Sequence, residues 1–375
     1  MSPEDPGNGG HHRLAELPIF TTRRLAQTGV VVLVLLGGIY FLFPKLVGLG
    51  DSLGRLDEAD PVWIAVAIGF NVVAYATYIA LFKAVVGGDA LRLRWTETYE
   101  INMAGVAATL LFSAGGAGGI ALTYWALRKA GMARRDVARR MVAFVSLHYA
   151  FYPIALIVFG ILLRTGVLNG KSSVELTIIP AAIAGALLVA AILVTLIPPD
   201  LERRLARFAH TDRSRRFLKA AGKVPATMAE GFRFALGLFA HPSKGGLAVI
   251  GAAGYWAASI GVLWASFHAF GVQVPIGVVV QGFFLGMVAN LFPFAPAGVG
   301  AVDAGMIGAF VLFGIPEETV FPAILVFRFV SFWMPIPPGV FAFFQLRHTV
   351  HRWEEEGLPI DRGGRAGSDL EPAVG

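Results

Sequence analysis

Apolar residues in this chain run in unbroken blocks of about 20, the length an α-helix needs to cross a ~30 Å hydrocarbon core, and the polar residues gather between the blocks. Uninterrupted blocks lie at roughly 26–48, 62–86, 141–163, 175–198, 246–270 and 319–346. Two further apolar regions, 98–127 and 276–314, are interrupted near the middle by "SAGGAGG" and "PFAPAGVG". Proline removes a backbone donor and clashes with the preceding turn, so a continuous helix through the second region is not expected. The alternating segments of a transmembrane β-barrel are absent. The pattern predicts an all-α polytopic membrane protein with six full spans plus two helical hairpins.

Charge orients the blocks through the excess of Lys and Arg on cytoplasmic loops. Residues 49–61 hold Asp51, Asp57, Glu58 and Asp60 against Arg55, and read as outside. Arg92 and Arg94 follow inside, as do residues 128–140, with six Lys/Arg against Asp136. Residues 199–244 hold ten Lys/Arg against four acids and are also inside. Glu317 and Glu318 fall outside, Arg347 and Arg352 inside; the short loop with Arg164 and Lys171 dissents. A multi-pass protein of the plasma membrane with both termini cytoplasmic is expected. Region 98–127 then enters and leaves from the inner side, and 276–314 from the outer side. Each is a hairpin of re-entrant half-helices or of two tight full spans. Re-entrant halves are favoured, because non-helical backbone survives at membrane depth only when buried in protein or lining a wet cavity. A plain eight-span layout is the alternative.

The expected organisation is a disordered cytoplasmic lead (1–25), a first membrane half (26–198), a basic cytoplasmic loop (199–245), a second membrane half (246–347) and a polar cytoplasmic tail (348–375). The block from Val30 is too long for a signal-peptide core and reads as a retained span. Within the loop, 215–239 is basic and amphipathic in patches. Residues 203–233 are expected to meet anionic lipid at roughly 1 kcal/mol per surface-near base, a solvated connector being the alternative.

Composition narrows the chemistry. The 375 residues are 56% hydrophobic and 15% charged, with mean hydropathy +0.66, net charge +6 and no cysteine. Disulfides, thiolate metal sites and thiol nucleophiles are excluded. No HExxH pair, P-loop, GxSxG elbow or dinucleotide fingerprint occurs, so neither an enzyme, a cofactor, a metal nor nucleic acid is expected.

The two hairpins resemble each other. "LFSAGGAGGIA" (111–121) laid on "LFPFAPAGVGA" (291–301) matches at five of eleven positions, and "FVSLHYAFYP" (144–153) on "FVSFWMPIPP" (329–338) at four of ten. Gly131 and Gly314 end the second arms. Matching order with opposite orientation reads as an inverted-topology repeat, in which substrate binds where broken helices meet. A helix starting at mid-membrane presents unpaired N–H groups, and glycine lets an anion approach them. Gly116, Gly118 and Gly119 in one hairpin, and Asn290, Pro296, Gly298 and Gly300 in the other, are the candidate headgroup contacts; close helix packing is the competing role for "GGAGG". Arg328 lies well inside its span, where a guanidinium costs at least ~2.5 kcal/mol, and Asp303 is its expected partner. That pair is either a structural salt bridge or a phosphate site in which Arg328 binds bidentately. His148 reads as a proton relay or interhelical glue, Lys83 as a snorkelling cation, and Glu100 and Asn102 as lining of an inner vestibule.

With "PFAPAGVGAVDAG", "FGIPEETVFPAILVFRFVSFWMPIPPG" and "SAGGAGGIALTYWALRKAG", residues 25–350 resemble the lysylphosphatidylglycerol synthase transmembrane-region, or flippase-like, family. Where the family typically shows Pro-Gly-Gly and Glu, this chain has Pro296-Ala297-Gly298 and Asp303. The resemblance implies movement of a phospholipid, aminoacylated phosphatidylglycerol being the best-known cargo, between leaflets. The family's larger members add an aminoacyl-transferase domain, which is not expected here. A lipid flippase-like transporter for an anionic or aminoacylated phospholipid, or a polyprenyl-phosphate-linked glycan, is the leading expectation. A membrane-embedded enzyme or glycosyltransferase accessory acting on lipid-linked sugars, and a small-solute secondary transporter, are the rivals.

Overall fold

The computed structural model of the chain describes residues 55–87, 93–111, 117–198, 212–288 and 300–355. Among them are helices and no strand: a short 3₁₀ turn (Arg55–Glu58), then α1 (Pro61–Val86), α2 (Trp95–Leu111), α3 (Ala117–Lys129), α4 (Arg134–Arg164), α5 (Val174–Thr195), α6 (Asp212–Ala240), α7 (Pro242–His268), α8 (Ile276–Met287), α9 (Ala301–Leu312), α10 (Glu317–Arg328), a π-helical segment (Phe329–Trp333) and α11 (Ile336–Glu355). Five stretches of described helix are long and apolar enough to cross a membrane: Pro61–Val86, Arg134–Arg164, Val174–Thr195, Gly245–His268 and Glu317–Glu355. They coincide with five of the six expected spans; the block at 26–48 lies outside the described residues.

Two of these differ from expectation at their ends or centre. The third block begins as helix at Arg134, because the basic turn 134–140 continues the apolar stretch without a breaker. The last block is not one uniform helix. Pro335, Pro337 and Pro338 have no N–H to return to the turn before them, and the chain widens to a π turn closed by Met334 N–H on Phe329 O at 3.1 Å.

Each expected hairpin is a pair of short helices. The arms are 17 and 13 residues in the first, 12 and 12 in the second. At 1.5 Å per residue the described part of each arm is about 18–26 Å long. Small residues draw the arms together: Gly119 is buried against Gly105 and Thr109, and a Cβ on Gly286 would stand 2.7 Å from Met306 N. Both second arms close with the same left-handed glycine cap. Gly131 (φ 95°) and Gly314 (φ 92°) let Met132 N–H reach Leu127 O, and Ile315 N–H reach Phe310 O.

Packing crosses between the halves. α1 lies along α7, where Gly251 sits against the backbone at Thr77 and Leu81. α2 packs on α11, with Gly339 against Met103 and Ala107, while α8 packs on α4. The bonding follows the same exchange. Asn71 of α1 donates to Val330 O at 2.8 Å, and Trp256 of α7 donates to His148 O at 2.7 Å. The largest apolar core gathers Phe267, Phe283, Phe284, Phe310, Ile324 and Val330 from α7 to the π segment. α5 is the opposite case, apolar yet outward: Ile183 and Leu187 are each 58% exposed, as a lipid-facing helix requires.

Cations close the carbonyl ends of helices. Arg140 donates to Val85 O and Gly87 O and Arg233 to Thr195 O and Ile197 O, while Lys83 lies over Trp95 and donates to Leu93 O, just ahead of α2. The two dissenting charges are also engaged with carbonyls: Arg164 donates to Ser172 O, just ahead of α5, and Lys171 to Leu312 O at the end of α9, both at 3.0 Å. α6 contains the amphipathic stretch 215–239 and docks on α4 through the Arg135–Glu230 ion pair and Arg139 over Phe234.

Candidate functional site

The sequence between α9 and α10 explains how a carboxylate and a guanidinium meet at depth. α9 starts at Gly300, whose φ of 81° is open to glycine at little cost, and Asp303 falls at its third helical position. From there the side chain reaches back and accepts the Gly300 N–H at 2.9 Å, satisfying one donor of the helix start. The Gly314 cap and Pro316 turn the chain, so α10 returns beside α9 and its last residue, Arg328, comes level with Asp303. Arg328 Nε donates to Asp303 Oδ1 at 2.7 Å, and the two side chains are 8% and 14% exposed.

This pair uses little of the guanidinium. Arg328 Nη2 is buried and has no hydrogen-bond partner among the described residues. The group lies over Phe332, its Cζ 5.7 Å from the ring centroid. A buried donor left without an acceptor costs about 1–3 kcal/mol, more when charged. The arrangement is one carboxylate shared between a helix N-terminus and a guanidinium, with donor capacity left over for an anion.

Asp303, Gly300 and Arg328 are thus brought together. Pro296, Gly298, Asn290 and Gly116 lie outside the described residues. Gly118 and Gly119 stand at the start of α3, Gly119 packed against α2. His148 hydrogen-bonds to none of them. It sits on α4 in an aromatic nest, its ring 4.7 Å from Trp256, 4.8 Å from Tyr255 and 5.0 Å from Tyr78, with Nδ1 buried and unpartnered. On α2, Glu100 Oε2 and Asn102 Oδ1 are buried and, like His148 Nδ1, have no partner among the described residues.

Two positioning residues are absent from the sequence reading. Asn71 and Tyr75, on one face of α1, donate to Val330 O and Ser331 O in the π turn directly after Arg328. These carbonyls lose helical partners because Met334 N–H turns to Phe329 O and Pro335 has no N–H. A mid-span asparagine in one block, against a proline cluster in another, was the available signal.

Comparison with known proteins follows the same outline. A UPF0104 membrane protein of Methanothermobacter thermautotrophicus is 36% identical over 72 residues, 19% of this chain and 22% of that protein. A second match to a UPF0104 membrane protein of that organism is 33% identical over 87 residues, 23% of the chain and 26% of the relative. A phosphatidylglycerol lysyltransferase of Staphylococcus haemolyticus is 26% identical over 102 residues, 27% of the chain and 12% of that protein. The matched stretches therefore span roughly a quarter or less of each relative's length. The profile of the family described as Lysylphosphatidylglycerol synthase TM region matches residues 27–339, which include all of α1 to α10 and both arms of each hairpin. This chain belongs to the lysylphosphatidylglycerol synthase TM region family.

Proposed function

We propose that the protein moves a phospholipid, or a polyprenyl-phosphate-linked glycan, between leaflets of the plasma membrane, the headgroup passing between the two hairpins while the acyl chains stay in lipid. The observation that carries this reading is the buried Arg328 guanidinium, tied to Asp303 through Nε and unpartnered at Nη2. A phosphate oxygen is the acceptor a planar guanidinium fits best. The kinship with a phosphatidylglycerol lysyltransferase makes phosphatidylglycerol, plain or aminoacylated, the first cargo to try.

The architecture in this proposal is an inverted repeat of α1–α4 on α7–α11, the short arms serving as re-entrant half-helices and both termini facing the cytoplasm. The crossed packing, the exchanged Asn71 and Trp256 bonds and the twin caps at Gly131 and Gly314 support it. No transfer chemistry is assigned to this chain.

Scrambling of fluorescent phosphatidylglycerol in proteoliposomes tests the reading. Wild type should equilibrate the lipid between leaflets, and Arg328→Ala and Asp303→Ala should lose most of that rate. Wild-type rates surviving both substitutions would remove the site from the proposal.

A further inference from the structure

Asp303 occupies the place a substrate anion would take. Its two oxygens hold the Arg328 Nε donor and the Gly300 N–H at the start of α9, the two kinds of donor suited to a phosphate. A phosphate arriving there meets a like charge, with one cation to serve both. The sequence from Val288 to Val302 has no Lys, Arg, Asp or Glu. Among the described elements packed on α9, α8 brings no ionisable group, and α10 brings Glu317 and Glu318 at its far end besides Arg328. α7, packed on α10, carries Lys244 and His268 near its opposite ends, and Lys171 is engaged with Leu312 O at the other end of α9. Two anions sharing one guanidinium away from water is unfavourable unless one is neutral.

We infer that Asp303 is a proton-binding site, and that a phosphate-bearing headgroup binds Arg328 when Asp303 takes up a proton. The inference rests on the proposed lipid-transport reading and adds its coupling. Protonation weakens the hold on Arg328 Nε and the Gly300 N–H together. The headgroup anion then takes both donors, along with the unpartnered Nη2. Release of the headgroup returns the proton and restores the pair.

The linkage has a definite sign. The binding-competent form is the protonated one, so the apparent affinity falls as pH rises. The test is calorimetric titration of the detergent-purified chain with dioctanoyl-phosphatidylglycerol at pH 5.5, 6.5 and 7.5, each in two buffers of different ionisation enthalpy. Wild type should bind more weakly as pH rises and take up about one proton per lipid at pH 7.5. Asp303→Asn should bind at pH 7.5 more tightly than wild type does at that pH, with no proton uptake. Should that variant fail to fold, the wild-type proton count still decides. Glycerol phosphate, titrated in parallel, separates the sources: equal affinity and proton uptake would keep the coupling but make a free phosphate ester, not a lipid, the ligand. Arg328-dependent binding without proton uptake would overturn the inference and leave the transport reading standing. Absence of binding by wild type and Asp303→Asn at every pH would overturn both the inference and the headgroup site.

Discussion

The hairpin of α2 and α3 and the hairpin of α8 and α9 share a plan but not a chemistry. Each has two short arms held together by small residues, and each ends at a left-handed glycine followed by a long helix. Extending the internal alignment places Thr123 opposite Asp303 and Ala143 opposite Arg328. In the first hairpin Thr123 is buried beside Gly105, so close that a Cβ there would stand 2.8 Å from its Oγ1. In the second, the same place holds a carboxylate that leaves donors of Arg328 unused. Similar packing with unshared charge separates what holds each pair of arms together from the ion pair, which joins α9 to α10. The function is therefore sought on the charged hairpin.

Removing the cation should give the largest difference between the two. Arg328→Ala strands a buried carboxylate and should cost about 3–5 kcal/mol, whereas Thr123→Val, which keeps shape, should cost about 1 kcal/mol or less. Thermal unfolding in detergent measures both. The double substitution Asp303→Leu, Arg328→Met should recover much of the stability, because no charge is left unpaired, yet should not recover lipid movement. Equal losses from Arg328→Ala and Thr123→Val would mean the pair is hydrated and the contrast between hairpins is spurious.

Packing, the shared part of the plan, predicts effects next in size. Gly286→Ala pushes a methyl onto the backbone of Met306, and should cost about 1–3 kcal/mol, as should Gly119→Ala against Gly105. Gly308 is the internal control. Its Cβ would meet nothing within 4 Å, so Gly308→Ala should be neutral or stabilise by up to about 1 kcal/mol through helix propensity. Matching losses at Gly286 and Gly119 would support a common architecture; a loss confined to one hairpin would break the analogy.

Much of this architecture is legible in the sequence, and the reasons differ by feature. Span positions follow from apolar length alone, which is why α1, α5 and α7 fall where the blocks do. The meeting of Asp303 with Arg328 was expected because a guanidinium well inside a span has few affordable surroundings. The second bond of Asp303, to Gly300 N–H, depends on the register of α9 after a left-handed glycine, which hydropathy does not encode. Arg164 and Lys171 dissent from the charge pattern, and the carbonyls that engage them are brought close only by folding, which the charge pattern does not encode. The π turn hides for a related reason. Its prolines are visible, but the α1 side chains that satisfy the freed carbonyls lie over 250 positions away.

That turn yields the smallest predicted effect and the finest version of the comparison. α4 carries Pro153 and continues as helix, whereas its counterpart opens at Phe329–Trp333, one step beyond Arg328. Asn71→Leu leaves Val330 O without its side-chain donor and should cost about 1–3 kcal/mol. Tyr75→Phe deletes a single 3.3 Å bond to Ser331 O and should cost about 0.5–1.5 kcal/mol. If the π turn is only a capped break, lipid movement in Tyr75→Phe should follow the small change in unfolding temperature. If the turn must bend for Arg328 to exchange Asp303 for a headgroup, movement should change several-fold while the unfolding temperature barely shifts. A conformational step is sensitive to the difference between two states, and a melting curve reports on only one of them. The same substitution therefore distinguishes a hinge from a repair, and does so beside the one charged pair that sets the two hairpins apart.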